Sequence, residues 1–434
     1  MSATGVGEIQ ARTPSASTND WLPEGWANTT IGVLLRRGGS IKTGPFGTTL
    51  RAAEYSIEGV PVISVGEIGR GALTIRKETP RVSLEVLKRL PEYRLNEGDI
   101  VFGRKGAVDR SALIGPKQDG WFLGSDGIRL RLPSSVLPEY AIHQLQTLQT
   151  KNWLIANSVG TTMASLNQEV LGRLPFLLAP EQEQRNIATA LSNVDTLISG
   201  LDALIEKKRA IKLAMIQNLL TGRMRSHHSG TWVSGPLGEF ADLLTGFPFP
   251  SRGFARQGIR LVRGSNVKRG VIDWSDEISV YWPGLTGDLA RYQLREGDLL
   301  IAMDGALVGR SFAVIQGSDL PCLLVQRVAR LRATRMNPQL MAQLVCSEQF
   351  GRHVDSTKTQ TAIPHISAAD IRSFVISFPA DVGEQDRIAT LLCEVDGEIC
   401  SLERRRYKLK LIRQAMMQSL LTARTRLVGR EVVA

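Results

Sequence analysis

Ile388, Val395, Leu402, Leu409 and Met416 stand seven residues apart, with Leu392, Ile399 and Leu420 alongside. Apolar side chains at that interval line one side of an α-helix, because seven residues make almost two turns. No proline and only isolated glycines interrupt the stretch, so it predicts one long helix over 383–426. Ile187, Val194, Leu201 and Met215 hold the same places in an earlier stretch, 181–225, where Lys208 breaks the series. Leu191, Leu197, Ile198, Leu204, Ile205 and Ile211 widen that stripe. From Ile187 to Arg223 a helix measures about 55 Å at 1.5 Å per residue. The bland reading is a bundle core. Neither stripe has another long apolar helix to bury it, so the sharper expectation is two helices paired antiparallel as a coiled coil.

Outside these stretches the periodicity shortens. The apolar runs "VPVISV", "DIVFG", "GIRLRL" and "DLLIAM" are bounded by Gly, Pro and Asp, which predicts short strands between turns. "PEYAIHQLQTLQTKNWLIA" and "NPQLMAQLVCSEQFGRHV" carry helical spacing, each with a proline in its first turn. The fold class is therefore α+β.

The two long helices open on nearly the same phrase, "EQEQRNIATALSNVD" at Glu181 and "GEQDRIATLLCEVD" at Gly383. Ile187, Ala188, Thr189, Leu191, Val194 and Asp195 return as Ile388, Ala389, Thr390, Leu392, Val395 and Asp396. Downstream, Leu219, Leu220, Thr221, Arg223 and Arg225 return as Leu420, Leu421, Thr422, Arg424 and Arg426. The repeat reaches back through the globular parts. "VISVGEIGRGALT" at Val62 aligns on "LVRGSNVKRGVID" at Leu261, and "LNEGDIVFGRKGA" at Leu95 on "LREGDLLIAMDGA" at Leu294. Trp26 and Gly32 pair with Trp232 and Gly238, and "TGPFG" at Thr43 with "TGFPF" at Thr245. Whole globular units are repeated, so this is a duplication and not a short-period solenoid. The expected order is a polar tail (1–20), a globular unit (21–180), a helix (181–225), a second unit (226–382), a second helix (383–426) and a tail (427–434). The His227–His228 pair reads as linker.

Composition narrows the function. The chain has 434 residues, 43% of them hydrophobic and 22% charged, which is ordinary for a soluble globular protein. The first residues lack an apolar h-region and no apolar run reaches about 18 residues, so neither a signal peptide nor a membrane span is expected. The formal charge of +11 favours a polyanionic partner, most simply nucleic acid. Cys322, Cys346, Cys393 and Cys400 form no C-x-x-C pair and no zinc spacing, so no metal site is expected. They read as free thiols of a reducing cytoplasm.

The catalytic inventory is nearly empty. The sequence holds no phosphate-binding G-x-x-x-x-G-K-[ST] loop, no H-E-x-x-H and no G-x-S-x-G elbow. A DNA adenine methylase needs an N/D-P-P-F/Y loop, and no P-P dipeptide occurs. Carboxylate–lysine pairs such as Glu206–Lys208 lie on the charged flank of a long helix, where a solvated face is expected. No catalytic residue is assigned.

The domain–helix–domain–helix order resembles the specificity subunit of type I restriction-modification systems. Carrying that likeness are the openings at Trp26 and Trp232, the "TGPFG" loop, the "EGDIVF" and "EGDLLI" turns and the "EQ…IA…L…VD…I…L" helix starts. The likeness covers Trp21 to Arg426. It implies that each globular unit is a target recognition domain for one half of a bipartite site in double-stranded DNA. It also implies that the helices form an antiparallel coiled coil, set the spacer and dock two methyltransferase subunits. Restriction/translocase subunits would complete the complex. S-adenosylmethionine, ATP and Mg would bind on those partners, with no cofactor on this chain. Other readings are a specificity subunit of a related multisubunit type II enzyme, or a stand-alone sequence-specific DNA-binding protein. The latter normally carries a helix-turn-helix or zinc module, which is not seen here.

If the units are matched readers, framework positions should agree and reading positions differ. Arg104 and Lys105 oppose Met303 and Asp304, and Ser64 and Glu67 oppose Arg263 and Asn266. Arg and Lys suit guanine O6 and N7, Asn suits adenine, and Asp suits the cytosine amino group. The competing reading is that these are solvated turn residues. Arg110, Lys268, Arg269, Arg310 and Lys358 are expected on phosphates, which position without specifying. Arg404, Arg405, Arg406, Lys408 and Lys410 fit phosphates or a solvated coil face equally.

Overall fold

The computed structural model describes residues 22–160, 164–220 and 231–427. Outside these lie the polar tail at 1–20, most of the tail from 427, the His227–His228 linker, and Thr221, Arg223 and Arg225 of the repeat. The chain divides into two compact units. One comprises residues up to Gly200 together with those from Arg406 onward, and the other Leu201–Arg405. Each long helix thus contributes one stretch to each unit.

In the first unit a four-stranded antiparallel sheet runs in the order Ser40–Thr43, Gly127–Arg131, Ile100–Gly103, Ser111–Leu113. A second sheet carries Val60–Ile63 parallel to Phe122–Leu123, with the short strands Arg81–Val82 and Tyr55–Ser56 beyond. The ribbon Ala27–Thr30 with Pro175–Leu178 closes the domain, so its first and last strands are neighbours. The second unit repeats the plan. Its antiparallel sheet is Ala241–Thr245, Val328–Ala333, Leu299–Ala302, Phe312–Val314. Ile259–Val262 lies parallel to Cys322–Leu324, and Trp232–Pro236 pairs with Val375–Pro379. Each stretch of helical spacing that follows a central sheet forms two helices. Pro138–Leu145 is followed by Leu148–Asn157, and Pro338–Val345 by Glu348–Thr357. Thr147 and Ser347 cause the break, their hydroxyls accepting from the N–H of Thr150 and Phe350 as N-caps of the second piece.

The repeated "EGD" turns are structural. Gly98 and Gly297 both sit at φ +85°, a left-handed conformation that glycine adopts without steric cost. Asp99 and Asp298, each 1% exposed, accept the N–H of Asn96 and Arg295 at 2.8 Å. Each then takes the Nε and Nη2 fork of a strand arginine, Arg131 or Arg332, at 2.7 Å. These carboxylates are buried but fully paired, the condition under which a buried charge is tolerated.

The repeated "EQ" clamps helix to domain. Gln184 and Gln385 are each 1% exposed. Gln184 Oε1 accepts from Leu137 N at 2.8 Å while its Nε2 donates to Ala179 O at 2.9 Å. Gln385 does the same with Asn337 N at 2.7 Å and Pro379 O at 2.8 Å.

The long helices span Glu181–Leu220 and Val382–Leu420 and run antiparallel within each unit. In the first, Ile187 and Leu191 share a core with Met417, Leu420 and Leu421. Arg413 donates to Asp195 and Arg426 to Glu183. In the second, Ile205 packs with Val395, Ile399 and Leu402. Lys212 bonds Asp396 at 2.7 and 2.8 Å, and Arg209 bonds Glu403 at 2.5 Å. Of the expected seam, Ile187 and Val395 are buried, whereas Val194, Leu201, Met215, Ile388, Leu402, Leu409 and Met416 are half-buried. Leu191, Ile198 and Ile205 take the deeper places. Leu197, Leu204 and Ile211, expected to widen the buried stripe, are instead 55%, 39% and 42% exposed. A two-helix contact covers only a narrow strip of each helix, so the wider part of the stripe stays outside it.

Candidate nucleic-acid interface

Four loops meet at one end of each globular part, because the two parallel strands and the central hairpin all finish there. In the first unit these are Thr43–Gly47, Ser64–Glu67, Arg104–Gly106 and Gly124–Asp126. Gly44 lies so close to Gly124 that a Cβ there would come within 1.7 Å of the Gly124 carbonyl oxygen, which explains the "TG" of the repeated loop. Arg104 N donates to Asp126 O at 2.8 Å. In the second unit Gly246 would meet Val325 O at 2.2 Å in the same way, and Met303 N donates to Arg327 O at 2.9 Å. The backbone design is shared.

The side chains on that backbone differ. The Arg104 guanidinium stands over the Phe46 ring at 5.7 Å, with Phe46 itself 66% exposed. Such cation–π contact holds a flexible side chain in place at the surface. Lys105 faces Asp126 at 3.7 Å. At the corresponding place in the second unit Asp304 faces Arg327 at 3.0 Å, the same ion pair with its polarity exchanged. Asp126 and Arg327 escaped the sequence reading because the alignment offset slips by two before these strands. The signal was there: opposite charges just ahead of "GIRLRL" and "VARLRA".

Two expected readers are corrected. Glu67 is 8% exposed and Asn266 fully buried. Glu67 accepts from Ser64 N, and Asn266 accepts from Arg263 N, both at 3.1 Å. Asn266 also donates to Asp273 O at 2.9 Å. The loop needs a buried acceptor at this point, and a carboxylate or an amide can fill that place. Neither side chain offers a free edge to a base. Ser64 is half-buried against Gly124, and Arg263 donates to Ile278 O, folding back on its own unit.

Of the residues expected on phosphate, Arg110, Lys268 and Arg269 are exposed. Arg310 and Lys358 instead share Asp355, and their hydrogen bonds, with their charges adding to them, hold its carboxyl well below the usual range. Arg404, Arg405, Lys408 and Lys410 lie on the exposed side of the second long helix, where Arg404 donates to Cys400 Sγ. The thiols are free, and burial pushes Cys322 up to about 12. Among the described residues no helix is long and apolar enough to cross a membrane.

A family model described as a type I restriction modification DNA specificity domain matches residues 39–207. The chain is similar to the type I restriction enzyme MjaVIII specificity subunit of Methanocaldococcus jannaschii, 23% identical over 350 residues and covering 77% of this chain and 81% of that one. It is also similar to the EcoAI specificity subunit of Escherichia coli, 31% identical over 192 residues, 43% of this chain and 31% of that one. Among solved structures, the type I restriction-modification S subunit from M. genitalium has the same fold. Its TM-score is 0.60 at 14% identity, across 94% of this chain and 99% of that one.

Proposed function

Since the chain belongs to the specificity subunits of type I restriction-modification systems, which recognise DNA sequence, we propose how its parts divide that work. Each loop cluster reads one half of a bipartite site in double-stranded DNA. The carrying observation is the shared loop backbone bearing unlike side chains, which suits two readers of unlike half-sites. Arg104, steadied on Phe46, is the leading base contact of the first unit, with Lys105 beside it. Exposed Arg110, Lys268 and Arg269 serve phosphate, in keeping with a formal charge of +11.

The paired helices set the spacer and present docking faces. Leu197, Leu204 and Ile211 recur every seven residues on the first helix and remain exposed, and Tyr407, Leu411 and Ile412 are exposed on the second. Such stripes fit helices of two methyltransferase subunits, with restriction/translocase subunits joining the full complex in the cytoplasm. S-adenosylmethionine, ATP and Mg belong to those partners, and this chain contributes no catalytic group. Mixing the purified chain with modification subunits should yield sequence-specific adenine methylation, while the chain alone neither methylates nor cuts DNA. Turnover by the isolated chain would sink this assignment.

A further inference from the structure

Arg327 is one of two non-glycine residues with positive φ among the described residues, at φ +66°. An L side chain there costs energy, and such cost persists where the surroundings fix it, often at a working site. Its carbonyl is held by Met303 N–H, and its side chain, 64% exposed, donates through Nη1 to Asp304 Oδ2 at 3.0 Å. Asp304 Oδ1 lies beside Gly264 of the neighbouring loop. Arg131, Arg332 and Arg413 each spend the fork made by Nε and Nη2 on a carboxylate. Arg327 spends only Nη1, and its fork stays open toward solvent.

We infer that Arg327 is a specificity-determining residue of the second unit that reads guanine, with Asp304 as its positioning residue; this rests on the DNA-reading assignment above. Two parallel N–H donors match guanine O6 and N7 in the major groove, the commonest specific pairing. The adjacent Asp304 carboxylate repels the full charge of a phosphodiester more strongly than the partial charges of a base edge, so it favours the base over the backbone. Asp304 then orients the reader and is not itself the base contact. In the first unit the same place holds Asp126, facing Lys105, and an acceptor there cannot pair with guanine O6 and N7. The exchanged polarity makes the two half-sites differ at this step.

The test uses the chain assembled with its modification subunits, scoring methylation over a duplex library randomised in both half-sites at fixed salt. Arg327→Gly removes the fork and also suits the left-handed φ, so thermal unfolding should occur no lower than in the parent chain. The expected result is a loss of guanine preference of about 10- to 100-fold at one base pair of one half-site, with the other half-site unchanged. Asp304→Asn should weaken the preference at that same base pair and leave all other positions alone. Equal loss on every sequence would make Arg327 a phosphate contact and overturn the inference, as would no change. A parent complex with no preference in either half-site would instead sink the DNA-reading assignment beneath it.

Discussion

His143 and Gln343 occupy corresponding places on matched helices, each close to the aspartate of the repeated helix phrase. Gln343 Nε2 donates to Asp396 Oδ2 at 2.7 Å. His143, 4% exposed, reaches Ser192 Oγ with Nε2 at 3.4 Å and leaves Nδ1 buried without a partner. Burial depresses its pKa to about 4, opposed by the Asp195 charge and assisted by Arg413. In the unfolded chain the imidazole titrates near about 6.5. A depressed folded pKa means that the neutral ring's contribution is whole above pH ~6.5 and is lost as pH falls toward ~4. The loss amounts to roughly 3 kcal/mol at 1.36 kcal/mol per pKa unit. His143→Gln, which copies the second unit, should flatten this decline. Urea unfolding of the two chains at pH 7 and pH 4.5 measures it, and parallel acid losses would clear His143 of the role.

The long helices are pinned by the same device in each unit. Asp195 receives the bidentate Arg413, and Asp396 receives Lys212, residues that correspond across the repeat with their partners exchanged. A charge pair at one point of an apolar seam fixes register, because any slip leaves a half-buried charge unpaired. Lengthening one helix alone would break these pairs, so a spacer change needs matched insertions. Four residues added both after Gly200 and after Arg405, where the two units divide, keep each pair intact. The added rise is about 6 Å, close to two base pairs at about 3.4 Å each. The preferred spacer should lengthen accordingly while both half-sites stay the same. Methylation of targets that differ only in spacer length reads this out, and retention of the original spacer would reduce the helices to a bundle core.

Each unit carries its own sheets, closing ribbon, helix clamp and loop cluster, so recognition should be separable at the scale of the whole molecule. Arg104→Ala should cost on the order of 1–3 kcal/mol at one base pair of one half-site and nothing at the other. Lys268→Ala, the loss of a phosphate contact, should weaken binding to all sequences and reduce the salt slope. Binding across the randomised library at two salt concentrations distinguishes them. A uniform loss for Arg104→Ala would move that residue to the backbone-contact class.

Duplication, strand runs and helix periodicity were legible in the sequence because each depends on neighbours in the chain: alternation, seven-residue spacing and a repeated phrase. The "EGD" and "EQ" motifs were visible there too, but not their work, since Asp99 and Gln184 act on groups far along the chain. The differing pair Glu67 and Asn266 misled for the same reason. Unlike residues at matched positions pointed to reading, yet both satisfy one backbone N–H, a fact held only in the folded loop. Burial divided the wide apolar stripe of the first helix into a seam and an exposed face, because one partner helix covers one side. The exchanged ion pair needed the tertiary structure as well, for it joins the end of one strand to the start of another and depends on loops that meet only in space.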